Sequence, residues 1–398
     1  MGLNETVAAE WLHITFFGMR NAGKSSLVNK ITAQQISVVS DVAGTTTDPV
    51  KKAMELLPLG PVVIIDTPGI DDVGELGALR VKRAHETLTH TDIAVLVRDC
   101  TRPAYEDDFL ITMFRERSIP FIVAYNKCDL PHEQKMPTKN EVYISSKTGE
   151  GIEKLKTMLG EFSAVKENPR YIIRDLLSPT DTVILVMPID ESAPKGRIIL
   201  PQQQTLREIL DCGCSAICCQ PSELSGVLNN LKAPPKMVVC DSQAFGEVSR
   251  IVPESITLTS FSILFARYKG DLGELVKGAS KLKTLTESDT VLISEGCTHH
   301  RQCNDIGTKK IPSWIEGFCG HTPSFQFTSG GEFPNELSEY SLIVHCGGCM
   351  LNEREMNSRI EKATAQNIPI VNYGVAIAHM HGILKRSLSP FPEIQALL

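Results

Sequence analysis

Residues 18–26, GMRNAGKSS, limit what this chain can fold into more than any other stretch. They fit G-x-x-x-x-G-K-[ST], with Gly18, Gly23, Lys24 and Ser25 at the fixed positions. Such a loop wraps phosphate oxygens with backbone N–H groups, and it works where a strand hands over to a helix. Both flanks have that character. LHITFFG before it is short and apolar, and KSSLVNKITAQ after it is amphipathic. Lys24 is then expected to reach the β- and γ-phosphates, and the Ser25 hydroxyl to ligate Mg2+.

PVVIID, TDIAVLVRD, PFIVAYNK and EVYISS read as further strands, with helical patterns such as GELGALRVKRAHETLTH between them. This alternation predicts a mainly parallel sheet with helices on both faces. Three more motifs fall at strand ends. In DTPG, Asp66 can hold Mg2+ through water, and the Gly69 N–H can meet the γ-phosphate. In NKCD, Asp129 offers a carboxylate to the paired N–H donors of a guanine edge, which adenine lacks. Asn126 and Lys127 would brace the base and the loop. SSK, with Ser145, Ser146 and Lys147, follows VYI where a guanine-supporting loop belongs. Four motifs in this order predict a GTP site, with Asn21, Ala22 and Ser26 completing the phosphate loop. SDVAGTTTDPV lies between the first two of these strands, and a threonine there would close on Mg2+ when the γ-phosphate is present. Thr46 is favoured, and Thr45 and Thr47 stay open. The expected catalytic set is Lys24, Thr46, Asp66 and Gly69.

Through these motifs, residues 12–160 resemble the TrmE–Era group of small GTPases. Ile70 follows DTPG where Ras-like proteins carry the glutamine that orients water, so this site needs other help. In the potassium-activated members, a phosphate-loop asparagine helps to bind K+, which acts as an arginine finger does. Asn21 holds that position. Arg20 departs from the pattern, since many relatives carry proline there. The resemblance implies slow, potassium-stimulated hydrolysis of GTP.

At 398 residues the chain has room for two or three domains. KENPRYIIRDLLSPT, polar and with two prolines, reads as a connector. Past it, DTVILVMPID, CSAICCQ and KMVVCD read as strands, with PQQQTLREILDCG, SELSGVLNNLK and SQAFGEVSRIV as helices. This run is too short and too glycine-poor at its turns for a second nucleotide domain, and a binding or oligomerisation module is the simpler reading. A third run starts near residue 270 with the helical DLGELVKGASKLKTL, then the strands DTVLISEGC, EYSLIVHCGGC and IPIVNYG and the helical VAIAHMHGILKRS. The two runs share a βα rhythm without a sequence repeat. The expected fold class is therefore α/β: an N-terminal P-loop domain over 1–168, followed by two smaller α/β domains over 175–268 and 270–398.

The net charge of −7 and the lack of a long basic run argue against a nucleic-acid partner. No apolar run approaches the roughly 18 residues of a membrane span, and no signal peptide is expected. MGLNET fits the myristoylation pattern through Gly2 and Thr6, but a strand-like stretch follows so closely that lipidation is not expected. A cytoplasmic location follows. Twelve cysteines then call for metal binding, redox chemistry or burial rather than a disulfide framework.

Two cysteine–histidine groups begin where strands end, in SEGCTHHRQC and VHCGGCM. They offer Cys297, His299, His300, Cys303, His345, Cys346 and Cys349. Cys346 and Cys349 can bind one metal centre from a single turn, and Gly347 and Gly348 remove the Cβ atoms that would hinder a tight wrap. Strand ends are the usual place for sites in open α/β sheets, so Cys297 could approach the other pair. Two centres compete. A zinc site would use four ligands such as Cys297, His299, Cys346 and Cys349. A 4Fe–4S cluster would take the three cysteines, leaving a weaker or exchangeable fourth ligand.

C-x-H, 45 residues, then H-C-x-x-C resembles the signature of the HydF family of iron–iron hydrogenase maturation GTPases. MPIDESAPKGRIILPQQQTLREILD looks like that family's middle domain. The resemblance implies a dimerisation domain over 175–268 and a cluster domain over 270–398. It implies Cys297, Cys346 and Cys349 as 4Fe–4S ligands, with His299 and His345 matching the family histidines and either one a possible fourth ligand. It further implies a scaffold that receives a diiron subcluster precursor and passes it to apo iron–iron hydrogenase, with the radical maturases HydE and HydG as partners and self-association as dimer or tetramer. The competing reading is a ribosome- or RNA-associated GTPase with a zinc-stabilised C-terminal domain.

DCGCSAICC, with Cys212, Cys214, Cys218 and Cys219, reads as a buried strand rather than a second metal site. Cys100, Cys128, Cys240 and Cys319 are read likewise, and Cys303 falls outside the signature. His379 and His381 are expected exposed or packed rather than ligating, and residues 202–204 could touch a partner subunit.

Overall fold

The apolar run ahead of the phosphate loop forms β1 (Leu12–Phe17), the middle of a six-stranded sheet. The computed structural model describes residues 11–32, 50–57, 59–69, 87–102, 107–132, 136–164, 170–189, 198–296, 306–348 and 350–398. It divides into two compact units, Met1–Pro169 and Arg170–Leu398.

In the first unit β1 is joined by β2 (Val50–Leu56), β3 (Gly60–Asp66), β4 (Ile93–Asp99), β5 (Phe121–Asn126) and β6 (Glu141–Tyr143). The order is β2-β3-β1-β4-β5-β6, parallel except where β2 runs against β3. Alternate β1 side chains feed two cores. Ile14 and Phe16 meet Leu27 and Val28 of the helix Lys24–Thr32 and Leu155 and Leu159 of the helix Ile152–Ala164. Phe17 meets Leu110 and Phe114 of the helix Asp108–Glu116. Covered on both faces, the inner strands are near-continuously apolar, which is why they are legible in the sequence. β2 was not expected. Its VKKAMEL alternates exposed and half-buried positions, as an edge strand does, and lacks the apolar run that marks the others.

The second unit holds two four-stranded parallel sheets. One comprises β7 (Thr182–Val186), β8 (Ser215–Cys219), β9 (Met237–Cys240) and β10 (Thr257–Ser260), in the order β10-β9-β7-β8. The other comprises β11 (Thr290–Glu295), β12 (Ser324–Ser329), β13 (Leu342–His345) and β14 (Ile370–Asn372), in the order β12-β11-β13-β14. Each first strand has the second on one side and the third and fourth on the other. The two sheets thus repeat one topology that the sequence does not show as a repeat. One continuous core joins them. Two helices that spring from the last strand of each sheet, Phe261–Lys269 and Tyr373–Met380, meet so closely that a Cβ on Gly374 would fall 2.2 Å from the Ser262 Cβ. Both are N-capped, by the Ser260 hydroxyl and the Asn372 side chain. β10, β12 and the helices Phe261–Lys269, Ile311–Cys319 and Glu353–Ala365 go beyond the sequence expectation. Among the described residues no helix is long and apolar enough to cross a membrane.

Candidate functional site

β1 ends at the phosphate loop, and the helix Lys24–Thr32 starts inside it, so its free N–H groups and positive dipole end face the loop. Gly23 has φ +91°, and a Cβ there would lie 2.2 Å from the Asn126 Nδ2, so only glycine fits. Asn21 takes the left-handed conformation at φ 62° and is exposed. Lys24 is buried, and its ammonium donates to the carbonyls of Gly18 (2.9 Å) and Met19 (2.8 Å), which hold it over the loop. The Ser25 hydroxyl donates to Asp66 Oδ2 at 2.6 Å. That hydroxyl–carboxylate pair fits Mg2+, a hard cation that takes oxygen ligands. Gly69 lies against the loop, since a Cβ on it would be 2.8 Å from the Arg20 Cα. DTPG and the phosphate loop are therefore neighbours in space. Thr45, Thr46, Thr47 and Ile70 lie outside the described residues.

The guanine side is knit by Asn126, which is fully buried. Its amide donates to the Ala22 carbonyl (2.9 Å) and accepts the Ser146 N–H (2.9 Å), so one side chain ties NKCD to both the phosphate loop and SSK. Lys127, at φ 67°, pairs with Asp99 at 2.6 Å. Burial raises the Asp99 carboxyl, but the Lys127 ammonium and Thr101 outweigh it and hold it below its ordinary range. Asp99 carries no motif and was missed in the sequence. The Ser145 hydroxyl donates to Asp129 Oδ1 (2.7 Å) and accepts the Thr148 N–H (3.1 Å). That bond from Ser145 is the main reason the Asp129 carboxyl titrates below its usual range. Lys147 is exposed beside it.

The second candidate site lies at the C-terminal ends of β11 and β13, neighbours in register through Ser294 and His345. This is where the chain first diverges to the two sides of β11, the crevice that open α/β sheets use for ligands. The Cys346 sulfur accepts the N–H of Gly296 (3.1 Å) and of Gly348 (3.4 Å), while its own N–H goes to the Ser294 carbonyl. Gly348 adopts φ +65°, a conformation that favours glycine. Converging N–H donors favour a thiolate, and hydrogen bonds to sulfur are how proteins tune iron–sulfur clusters. The residues present therefore fit a cysteine-ligated cluster. Cys297, Cys349, His299, His300 and Cys303 lie outside the described residues, and among those described no three His, Cys, Asp or Glu form a metal group.

His345, a possible fourth ligand by its place in the sequence, has its ring committed to protein partners. It closes β13 and is fully buried. Its Nδ1 bonds the Cys346 carbonyl at 2.8 Å, so Nδ1 carries the proton. Its Nε2 accepts from Arg359 at 3.0 Å. Both ring nitrogens are engaged. Burial first, then Arg359, pushes the imidazole down to about 4, so it stays neutral. Arg359 also reaches the Ser294 hydroxyl, the Gly330 carbonyl and Glu355, and no sequence motif announced it.

Other cysteines separate. Cys240 is fully buried and Cys214 and Cys219 nearly so, whereas Cys100, Cys128, Cys212 and Cys319 are half-buried. Cys218 is exposed, because β8 is an edge strand and not the buried strand expected. Cys212 and Cys214 bring their sulfurs to 3.7 Å. His379 and His381 pack edge-on against Phe318 and Trp314. Gln202 is buried on Asp241 and caps its own helix through the Ile199 N–H, so it offers nothing to a partner subunit.

Residues 13–127 match the family described as 50S ribosome-binding GTPase. Residues 172–270 match the Hydrogen maturase F dimerization domain and residues 273–390 the Hydrogen maturase F tetramerization domain; together these two span more than half of the chain. The tRNA modification GTPase MnmE of Legionella pneumophila strain Corby is 35% identical over 153 residues, 38% of this chain and 34% of its own length. GTPase Der of Mycoplasmopsis agalactiae is 36% identical over 181 residues, 40% of each chain. The chain thus spans well under half the length of these curated relatives. Among solved structures, Era of Aquifex aeolicus bound to GDP.AlF4- aligns with a TM-score of 0.33 and 18% identity, over 61% of this chain and 98% of that one. That likeness is too slight to bear on function.

Proposed function

Because the chain belongs to the hydrogen maturase F family, we propose that it is a GTP-hydrolysing scaffold that holds a 4Fe–4S cluster and hands a diiron subcluster to apo iron–iron hydrogenase. Its N-terminal domain is a GTPase. The observation that carries the rest is the Gly296 N–H on the Cys346 sulfur. Gly296 immediately precedes Cys297 in the chain, so this bond supports reading Cys297 and Cys346 as ligands of one centre. Cys297, Cys346 and Cys349 would hold the cluster, which supplies an iron open to an exchangeable ligand. His299 is the remaining family histidine for that position. The cargo is a diiron unit made by the radical maturases HydE and HydG.

The matches at 172–270 and 273–390 support reading the chain as three domains, 1–168, 175–268 and 270–398, with the last two serving self-association as dimer or tetramer. A cytoplasmic setting suits an exchangeable cluster, which oxygen would destroy. On the nucleotide side, Ser25, Thr46 and Asp66 would hold Mg2+, and Lys24 and the Gly69 N–H would meet the γ-phosphate.

Anaerobic reconstitution tests the cluster. About four iron and four sulfide per chain are expected, with their absorption and EPR signals lost in Cys346→Ser. One tightly held zinc and no iron uptake would reject the scaffold reading in favour of a zinc-stabilised GTPase. Potassium is tested separately. Asn21 sits exposed in the phosphate loop with a side-chain carbonyl oxygen suited to K+. GTP turnover in KCl should exceed that in NaCl by about 10-fold or more, and Asn21→Ala should remove the difference. Equal rates in both salts would exclude the cation.

A further inference from the structure

We propose that Lys269 is a positioning residue for the cysteine loop and that its ammonium tunes the metal group the loop holds. This rests on the cluster reading above. Lys269 is the last residue of the helix Phe261–Lys269, which belongs to the layer of the preceding sheet, and it is 2% exposed. Its Nζ donates to the carbonyls of Gly348 (3.2 Å) and Leu351 (2.9 Å), which lie on either side of Cys349. Gly348 therefore has its N–H on the Cys346 sulfur and its carbonyl on Lys269. The next residue, Gly270, caps the helix with its N–H on the Ala266 carbonyl and packs against Ile360 of the helix that follows the cysteine loop. The loop is thus clasped from outside its own sheet.

Burying an ammonium is costly, and carbonyl dipoles offset part of that cost. An anion alongside lowers it further. A cluster held by thiolates is such an anion, and nearby charge is one of the levers that set its reduction potential. A strap without that electrostatic role needs only a donor, not a cation. The choice between the two is therefore chemical, and it can be measured.

The test compares full-length wild type, Lys269→Met and Lys269→Gln, reconstituted without oxygen and checked for fold by circular dichroism. Methionine removes both the charge and the donors, and glutamine keeps donors without charge. Lys269→Met should lose iron to a chelator about 10-fold faster than wild type, as loss of an outer-shell partner does. Both variants should shift the midpoint of the cluster, read by EPR-monitored redox titration, to more negative potential. Amide exchange over 346–351 should quicken in metal-free Lys269→Met. Wild-type potential and release rate in both folded variants would overturn the proposal and leave the cluster reading intact. If Lys269→Met fails to fold, the potential of Lys269→Gln decides. If wild type takes up no iron, the cluster reading falls and the tuning role with it, and the exchange rates alone decide whether Lys269 holds the loop.

Discussion

Asp129→Asn is expected to weaken GTP binding by about 100- to 1,000-fold while strengthening the binding of xanthosine triphosphate. The carboxylate is an acceptor at both oxygens, and guanine offers two N–H donors on one edge. Ser145 fixes its orientation at 2.7 Å and is itself fixed by the Thr148 N–H at 3.1 Å. The Ser145 hydroxyl also keeps the carboxyl below its ordinary range, so it stays ionised as the pH falls well below neutral. Asparagine would retain one acceptor and turn an N–H against a guanine N–H. Xanthine carries a carbonyl in place of the exocyclic amine, so the mismatch becomes a hydrogen bond. Competition of both nucleotides against a fluorescent analogue measures this directly. An equal loss for both would mean that the loop has come apart, and unchanged GTP affinity would mean that Asp129 does not read the base.

What was legible in the sequence follows from what the chain has to do in one place. The phosphate loop, DTPG, NKCD and SSK each need fixed residue types within a few positions, and the first three hang on apolar strands covered on both faces, SSK on the short edge strand β6. Their convergence in space is therefore written locally. β2 and β12 are edge strands with solvated or mixed faces, SFQFTS in the second case, and neither leaves the same trace. The repeated strand order of the two small sheets is a property of connections, which side-chain pattern does not encode. His345 stands in H-C-x-x-C, a place that speaks for ligation, while its burial on Arg359 depends on a distant helix that no local motif announces. Lys269 and Arg359 belong to no motif. Arg359 did leave a sign. In EREMNSRIEKATA it shares the stripe of Met356, Ile360 and Ala363, so a charge sits where the helix buries its apolar face.

That charge should prove hard to remove alone. Arg359→Met is expected to destabilise the second unit by about 3–5 kcal/mol, the usual result of breaking one side of a buried ion pair. The guanidinium and its partner Glu355 are 5% and 10% exposed and lie 2.8 Å apart. Losing Arg359 leaves the Glu355 carboxylate buried without that guanidinium. It also strips the His345 Nε2, the Ser294 hydroxyl and the Gly330 carbonyl of a donor. Those three positions lie at the ends of β13, β11 and β12, so the change strikes the strand ends that carry the cysteine arms. Adding Glu355→Gln should recover part of the loss, with a coupling of about 1–3 kcal/mol, because it removes the stranded charge but not the stranded polar groups. Native-state hydrogen exchange at the β11 and β13 amides reads both variants and the double variant locally, without assuming that the two units unfold together. Strict additivity would show that the ion pair itself contributes little, and that Arg359 acts through the strand ends alone. Full recovery in the double variant would assign it to Glu355 and remove the strand-end role.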